Sequence, residues 1–207
     1  MNSPQLLLSD YVKVYKNCFT KSFCETVIEE FDSDCSQKAP VDWRGNLEVL
    51  SQYRDAALYS INAKEQEPVS DLRRSITKTL TDTLTIQLEN YLQETHLYVD
   101  NVICKKFFNG SNDGFRFLRY DVGGHCAEHT DQCVSAETTR VITCSINLND
   151  NYEGGHTLFF PLYPHSNRVH IPPQTGQLIL FPSNFLYPHI VTKVTSGARY
   201  QIITWIT

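Results

Sequence analysis

From Asp71 to about Glu94 the positions Leu72, Ile76, Leu80, Leu84, Leu88 and Leu92 return every fourth residue. Side chains four apart stack on one face of an α-helix, so this stretch predicts one long amphipathic helix laid against a core. A shorter stretch, 19–32, carries Phe23, Val27, Ile28 and Phe31 at helical spacing, with Thr20 placed to cap its first turn. After the long helix the period shortens. Runs rich in β-branched and aromatic residues at 115–120, 140–148, 156–161, 168–171, 176–182, 188–194 and 199–206 are separated by Gly, Asn, Asp and Pro, which read as strands and their turns. Residues 33–69 keep neither period and predict an ordered but loop-rich segment, with Trp43, Leu47, Leu50 and Tyr53 available for burial. Two leading helices followed by short strands predict a mainly β fold with flanking helices: a sandwich or jelly roll with the N-terminal helices packed outside. We expect one domain over 1–207, helical in its N-terminal half, 1–100, and with a β core over 101–207.

Composition narrows the class. A chain of 207 residues that is 41% hydrophobic, with mean hydropathy −0.32, can bury a substantial core. No run approaches the roughly 18 apolar residues of a membrane span, and Met1-Asn2-Ser3-Pro4 lacks the basic and apolar regions of a signal peptide. Seven cysteines, odd in number and without a C-x-x-C pair, indicate neither a disulfide framework nor a zinc ribbon. The expectation is a cytoplasmic protein with no membrane partner. A formal charge of −5 argues against a partner held by phosphate neutralisation, so nucleic acid is not expected as a substrate.

The chemistry sits in two separated pieces. In FRFLRYDVGGHCAEHTD a β run reaches Tyr120, turns at Gly123 and Gly124, and delivers His129 and Asp131 two residues apart. Alone, such a pair is more often a surface turn. In GQLILFPSNFLYPHIVTKVTSGARYQIITWI, His189 sits in a β run and Arg199 follows ten residues later. Two histidines and one carboxylate on one side of a divalent metal form the facial triad of non-haem iron oxygenases, which leaves the opposite coordination face open. A diacid cosubstrate can chelate there, and its far carboxylate then needs a permanently charged, forked donor in a poorly hydrated pocket. Arg199 has that chemistry.

The ordered set Tyr120 and Gly123, His129-Thr130-Asp131, His189 and Arg199 resembles the 2-oxoglutarate oxygenases of the prolyl 4-hydroxylase type. Their pattern runs Y-x-x-G, H-x-D, H, then R or K about ten residues on. The match is strongest over 115–207, and CFTKSFCETVIEEF resembles the usual opening of such domains. The resemblance implies a double-stranded β-helix with Fe(II) at its mouth, 2-oxoglutarate and O2 as cosubstrates, ascorbate as an optional reductant, and succinate, CO2 and a hydroxylated product. By position, His129, Asp131 and His189 match the iron ligands, Arg199 the partner of the distal carboxylate, and Tyr120 a tyrosine that approaches the cosubstrate. Two positions depart from the pattern. Asn147 stands where some relatives have a tyrosine that helps the arginine, and Cys126 replaces a second tyrosine six after the first. An amide can still offer a hydrogen bond.

Strand parity places further residues. If Arg199 points inward, Gln201, Ile203 and Trp205 share its face and Trp205 walls the site, while Tyr200, Ile202, Thr204 and Ile206 point outward. In 140–148 we assign Thr143, Ser145 and Asn147 inward, because the mouth must hold a polar diacid; the bland alternative is a solvent face. Relatives that repair nucleic acid bases carry a second arginine that is missing around Trp205, halogenating relatives lack the carboxylate ligand, and a zinc hydrolase would leave Arg199 unexplained. The expected activity is hydroxylation of an unactivated C–H bond, in a prolyl residue of a protein or peptide or, alternatively, in a free amino acid or small metabolite. An inactive binding module of the same fold is the reading from another class. Substrate contacts are sought in Trp43, Arg44, Tyr53 and Arg54, and the mouth is expected to be covered by the 33–69 segment and a 121–139 loop. Cys126, Cys133 and His125 are given no catalytic role, and His96, His156, His165 and His170 are read as ordinary surface or packing residues.

Overall fold

The computed structural model describes residues 7–39, 41–43, 46–61, 69–96, 112–133, 139–160, 162 and 168–207, with backbone alone for 41–43 and 46–48. A short 3-10 turn leads into β1 (Lys13–Tyr15) and then α1 (Lys21–Phe31). Thr20 caps α1 as its sequence predicts, its side chain accepting from the Phe23 N–H at 3.2 Å. Five short strands follow: β2 (Gln37–Lys38), β3 (Val41–Trp43), β4 (Asn46–Glu48), β5 (Arg54–Asp55) and β6 (Ala57–Ser60). The segment expected to be loop-rich therefore carries five short strands joined by irregular chain. Its strands have only two to four residues, too few for a period to show. After α2 (Asp71–Glu94) come β7 (Arg116–Tyr120), β8 (His125–His129), β9 (Ile142–Asn147), β10 (Glu153–Gly154) and β11 (Thr157–Phe159). The chain ends with β12 (Val169–Ile171), β13 (Gln177–Pro182), β14 (His189–Val191), β15 (Val194–Ser196) and β16 (Arg199–Ile206).

Among the described residues the strands form two main sheets. The larger runs β1-β13-β9-β16-β7-β6-β2 and the smaller β12-β11-β14-β8-β5, with antiparallel pairing throughout. Chain-distant strands lie side by side in both, so β9, β13 and β16 bring residues 142–147, 177–182 and 199–206 together. This is the two-sheet, jelly-roll arrangement that the pattern of short strands predicts. Each strand of the larger sheet offers one face to the helices and one to the smaller sheet.

The helix-facing layer is apolar. Ile142, Cys144 and Ile146 of β9, Leu178 and Leu180 of β13, and Ile202 and Ile206 of β16 pack with Phe31 and Val27 of α1 and with Ile76, Leu80, Leu84 and Leu88 of α2. Ile202 and Ile206, expected to point out of the barrel, do so and are buried against the helices, and Thr204 is buried as well. On α2 the stripe is right except at its start, where Leu72 is 44% exposed. A strict four-residue repeat drifts by about 40° per step on a 3.6-residue helix, so its far end leaves the buried face. Tyr91 completes the stripe at the other end, its hydroxyl donating to the Tyr11 carbonyl at 3.0 Å. Among the described residues no helix is long and apolar enough to cross a membrane.

Gly176, just before β13, ties the helical layer to the sheet. Its carbonyl accepts from the N–H groups of Cys18 and Phe19 at 3.0 and 3.2 Å, and its own N–H donates to the Asn147 carbonyl at 2.9 Å. With φ at +75° and the Phe19 carbonyl oxygen 2.0 Å from where a Cβ would stand, no L side chain fits. Gly176→Ala is expected to cost on the order of 3 kcal/mol, read as a lowered thermal midpoint.

Candidate active site

The layer between the sheets is where the polar residues collect. Thr143, Ser145 and Asn147 are almost fully buried, at 0%, 4% and 3% exposure, which excludes the solvent-face reading. They point away from the helices and toward the smaller sheet, opposite the apolar set on the same strand. The pocket there is lined from the larger sheet by Leu118, Tyr120, Ser145, Phe181, Gln201 and Trp205, and from the smaller by Cys126, Thr157, His189 and Val191, among others.

His129 and His189 line this pocket and Asp131 joins them, with one ligand atom from each lying within 4.8 Å of the others. His129 and His189 are direct partners across the antiparallel pair β8 and β14, so the register itself sets the two imidazoles side by side. His129 comes from a strand and not from the loop expected at 121–139; β8 is five residues long and follows the Gly123 turn, where φ is +90°. The alternation HCAEH is too polar to announce itself as a strand, because its inward residues serve the site. Both rings are fixed by a hydrogen bond at Nδ1, to the Ala127 carbonyl at 2.9 Å and to the Tyr187 carbonyl at 3.1 Å. A carbonyl can only accept, so each Nδ1 carries the proton and each Nε2 keeps its lone pair. Those two Nε2 atoms face Asp131, at 3.6 Å from Oδ1 and 3.6 Å from Oδ2 respectively.

The protonation states suit a divalent metal. Burial lowers the pKa of both histidines, that of His189 to about 4, and keeps the imidazoles neutral. Burial would raise the Asp131 pKa, but His189, His129, the Thr143 hydroxyl and Arg54 reverse this, and the carboxyl stays below its ordinary value. Two neutral imidazoles and an ionised carboxylate form the hard-to-borderline donor set that Fe(II) takes in a facial triad. The Thr143 hydroxyl donates to Asp131 Oδ2 at 2.9 Å and lies 2.9 Å from the Ser183 hydroxyl, which aims one carboxylate oxygen. Thr143 is accordingly a positioning residue: Thr143→Val is expected to weaken metal binding by about 10-fold or more while the melting midpoint of the metal-free protein changes little. Titration with Fe(II) under anaerobic conditions measures it.

Arg199, only 1% exposed, stands against Tyr120 and Thr157, which line the pocket. Its Nη2 donates to Asn147 Oδ1 and Thr157 Oγ1, both at a long 3.4 Å, and its guanidinium carbon lies 5.1 Å from the centre of the Tyr120 ring. Asn147 thus accepts from the arginine through Oδ1. Among the described residues Nε and Nη1 meet no acceptor in good hydrogen-bond geometry, the Tyr152 hydroxyl standing beside the guanidinium, and no carboxylate pairs with the cation. A buried guanidinium with two unpartnered nitrogens is costly unless an anion completes it, so the observed residues fit a cosubstrate carboxylate. Tyr120 opposes Arg199 in the β7–β16 pair and is kept protonated by burial, which outweighs the pull of the two nearby arginines.

Of the four residues proposed for substrate contact, Arg54 lines the pocket and donates from Nε to Cys126 Sγ at 3.4 Å. Tyr53 is 38% exposed and does not line the pocket. The Trp43 side chain and Arg44 lie outside the described residues. Trp205 walls the site as parity predicts. Four neighbours were not anticipated. Tyr152 and Thr157 stand beside Arg199, and Arg116 and Arg140 stand over Trp205. Arg116 could have been found by counting back in twos from Tyr120, since it shares that face of β7. Cys126 lies 3.6 Å from His129 Nδ1 within the pocket wall, while His125 is tied to the backbone of Gly123 and Gln52, away from the ligands.

Fold, donor set and buried arginine are together similar to those of the 2OG-Fe(II) oxygenases with a prolyl-hydroxylase-like architecture. Residues 115–207 match the 2OG-Fe(II) oxygenase superfamily, the stretch that holds all four motif residues. In sequence the chain is similar to human prolyl 3-hydroxylase 2, at 26% identity over 129 residues, and to a PKHD-type hydroxylase of Synechococcus, at 34% over 90 residues. The aligned stretches cover 56% and 42% of this chain but 17% and 39% of those proteins, so the likeness concerns only a portion of each. In fold it is similar to a Pseudomonas putida prolyl-4-hydroxylase, with TM-score 0.65, 15% identity, and 94% of this chain and 91% of that chain covered. A Trichoplax adhaerens prolyl hydroxylase, solved with a hypoxia inducible factor peptide fragment, gives TM-score 0.68 at 18% identity over 95% and 83%.

Proposed function

We propose that this chain hydroxylates a prolyl residue in a protein or peptide, with Fe(II) held by His129, Asp131 and His189 and 2-oxoglutarate anchored on Arg199. The observation that carries the reading is a cluster of three metal donors at a pocket whose lining residues Tyr120 and Thr157 hold a buried, incompletely partnered guanidinium. When bound, the iron activates O2 at the expense of 2-oxoglutarate, which leaves as succinate and CO2 while one oxygen atom enters the substrate C–H bond. The chain's own role is to hold and to exclude. Asp131 and the two Nε2 atoms bind on one side; Arg199 takes the distal carboxylate with its free Nε and Nη1, and Tyr120 covers the cosubstrate. Phe159 and Phe181 pack on His189, with ring centres 5.3 and 4.9 Å away, and keep water from that ligand.

The prolyl substrate is supported by the relatives in sequence and in structure, whose names carry prolyl 3- and prolyl 4-hydroxylase activity. Incubation with Fe(II), 2-oxoglutarate, O2 and proline-containing peptides, with free proline in parallel, tests it. A mass gain of one oxygen on a prolyl residue is the expected result. Hydroxylation of free proline with every peptide unchanged would move the substrate to the free amino acid.

A further inference from the structure

Beside Trp205 the pocket is lined by Arg116 and Arg54, and Arg140 stands over the indole ring. Arg116 on β7 places its guanidinium carbon 4.5 Å from the centre of the indole ring, and Arg140, two residues before β9, places its own at 3.6 Å. Arg54 lines the same pocket from β5 in the smaller sheet. Arg116 and Arg140 share one acid. Arg140 donates to Asp113 Oδ2 from Nη2 at 2.8 Å and from Nε at 3.1 Å, while Arg116 reaches the same oxygen from Nη1 and Nη2 only at 3.4 Å. The better geometry belongs to Arg140, and the Arg116 fork stays weakly engaged. Trp205 is 5% exposed, and its Nε1 has no hydrogen-bond partner among the described residues. Guanidinium and indole N–H groups donate and cannot accept, so this rim calls for an acceptor-rich, anionic ligand.

Resting on the prolyl-peptide reading, we infer that Arg116, Arg140 and the Trp205 N–H recognise a substrate carboxylate, so that the preferred substrate is an acidic peptide with Asp or Glu close to the hydroxylated proline. A carboxylate is the group this rim is seen to hold, in Asp113, and the fork of Arg116 matches a second one. Burial and the charges of Arg140 and Arg54 make Arg116 less comfortable as a cation, with Asp113 opposing, and an incoming anion would relieve that repulsion. The rim is local: the chain as a whole carries −5, so the attraction is focused at the pocket instead of spread over the surface. The 2-oxoglutarate carboxylate is accounted for by Arg199 on the same sheet, so the two anions need separate donors.

The test uses the Fe(II)- and 2-oxoglutarate-loaded protein without O2, and two labelled peptides that differ only in a Glu or a Gln beside the proline. Anisotropy is expected to show about tenfold tighter binding of the Glu peptide, a gap that narrows with added salt. Arg116→Gln and Arg140→Gln should each shrink the gap, with Arg140→Lys retaining some of it. Equal affinity for the two peptides in the unaltered protein overturns the inference, even if neither variant folds. Free proline and N-acetylproline as competitors separate the sources of the carboxylate: displacement by free proline with no Glu preference assigns the rim to an amino-acid carboxylate and overturns the peptide version. Admission of O2 then reads the parent proposal independently. A Glu preference without any prolyl mass gain leaves the rim standing and removes the prolyl reading, whereas equal binding with a mass gain does the reverse.

Discussion

His189→Ala is expected to abolish turnover of 2-oxoglutarate, with at least a roughly hundredfold loss of Fe(II) affinity. The size follows from the geometry. His189 is 5% exposed, its Nδ1 is committed to the Tyr187 carbonyl, and its Nε2 faces Asp131 at 3.6 Å, so no nearby side chain can replace that donor without moving the β8–β14 register. The fold should survive, because the imidazole lies between the sheets while the main apolar layer lies on the helix side. Succinate release and circular dichroism measured on the same sample separate loss of chemistry from loss of fold. Undiminished succinate release by the variant would remove His189 from the metal centre, and His129→Ala and Asp131→Ala are expected to behave alike.

The second large effect is expected at Arg199. Arg199→Lys keeps the charge but replaces a fork with a point donor, and hydrogen bonds to charged groups are worth roughly 1.5–3 kcal/mol each. An apparent KM for 2-oxoglutarate raised by about 10- to 100-fold, with a smaller change in kcat at saturation, is therefore expected. The arginine holds its place through long contacts to Asn147 and Thr157 and lies over Tyr120, so a shorter ammonium loses both the reach and the flat contact. An unchanged KM would mean that another group anchors the distal carboxylate.

The candidate site was readable in the sequence where spacing encodes geometry. Two residues along extended chain return to the same side, which is why His129 and Asp131 could be paired from their spacing, and parity from Arg199 reached Gln201 and Trp205 correctly. It was also readable in residue type: the far carboxylate of a diacid needs a forked, permanently charged donor, and Arg199 follows His189 at the spacing to supply one. The β5 and β8 strands were hidden for the opposite reason. Two residues of β5 have no period, and β8 carries His129 on its pocket side and the polar His125 and Glu128 elsewhere, so little apolar signal remains.

What the chain alone determined was the local layer: α1 and its Thr20 cap, the extent of α2, the positions of most β runs, the inward side of β9 and β16, and the donor types that metal and diacid require. Each of these depends on residues a few positions apart, where helix and strand repeats act directly. What only the tertiary structure decided was pairing across distance. The register that sets His129 against His189, the Thr143 hydroxyl under Asp131, and the gathering of Arg54, Arg116 and Arg140 around Trp205 join residues up to about 150 positions apart in sequence. Strand order in an antiparallel sheet is selected by the global burial of both faces, a property of the whole chain that no local repeat records.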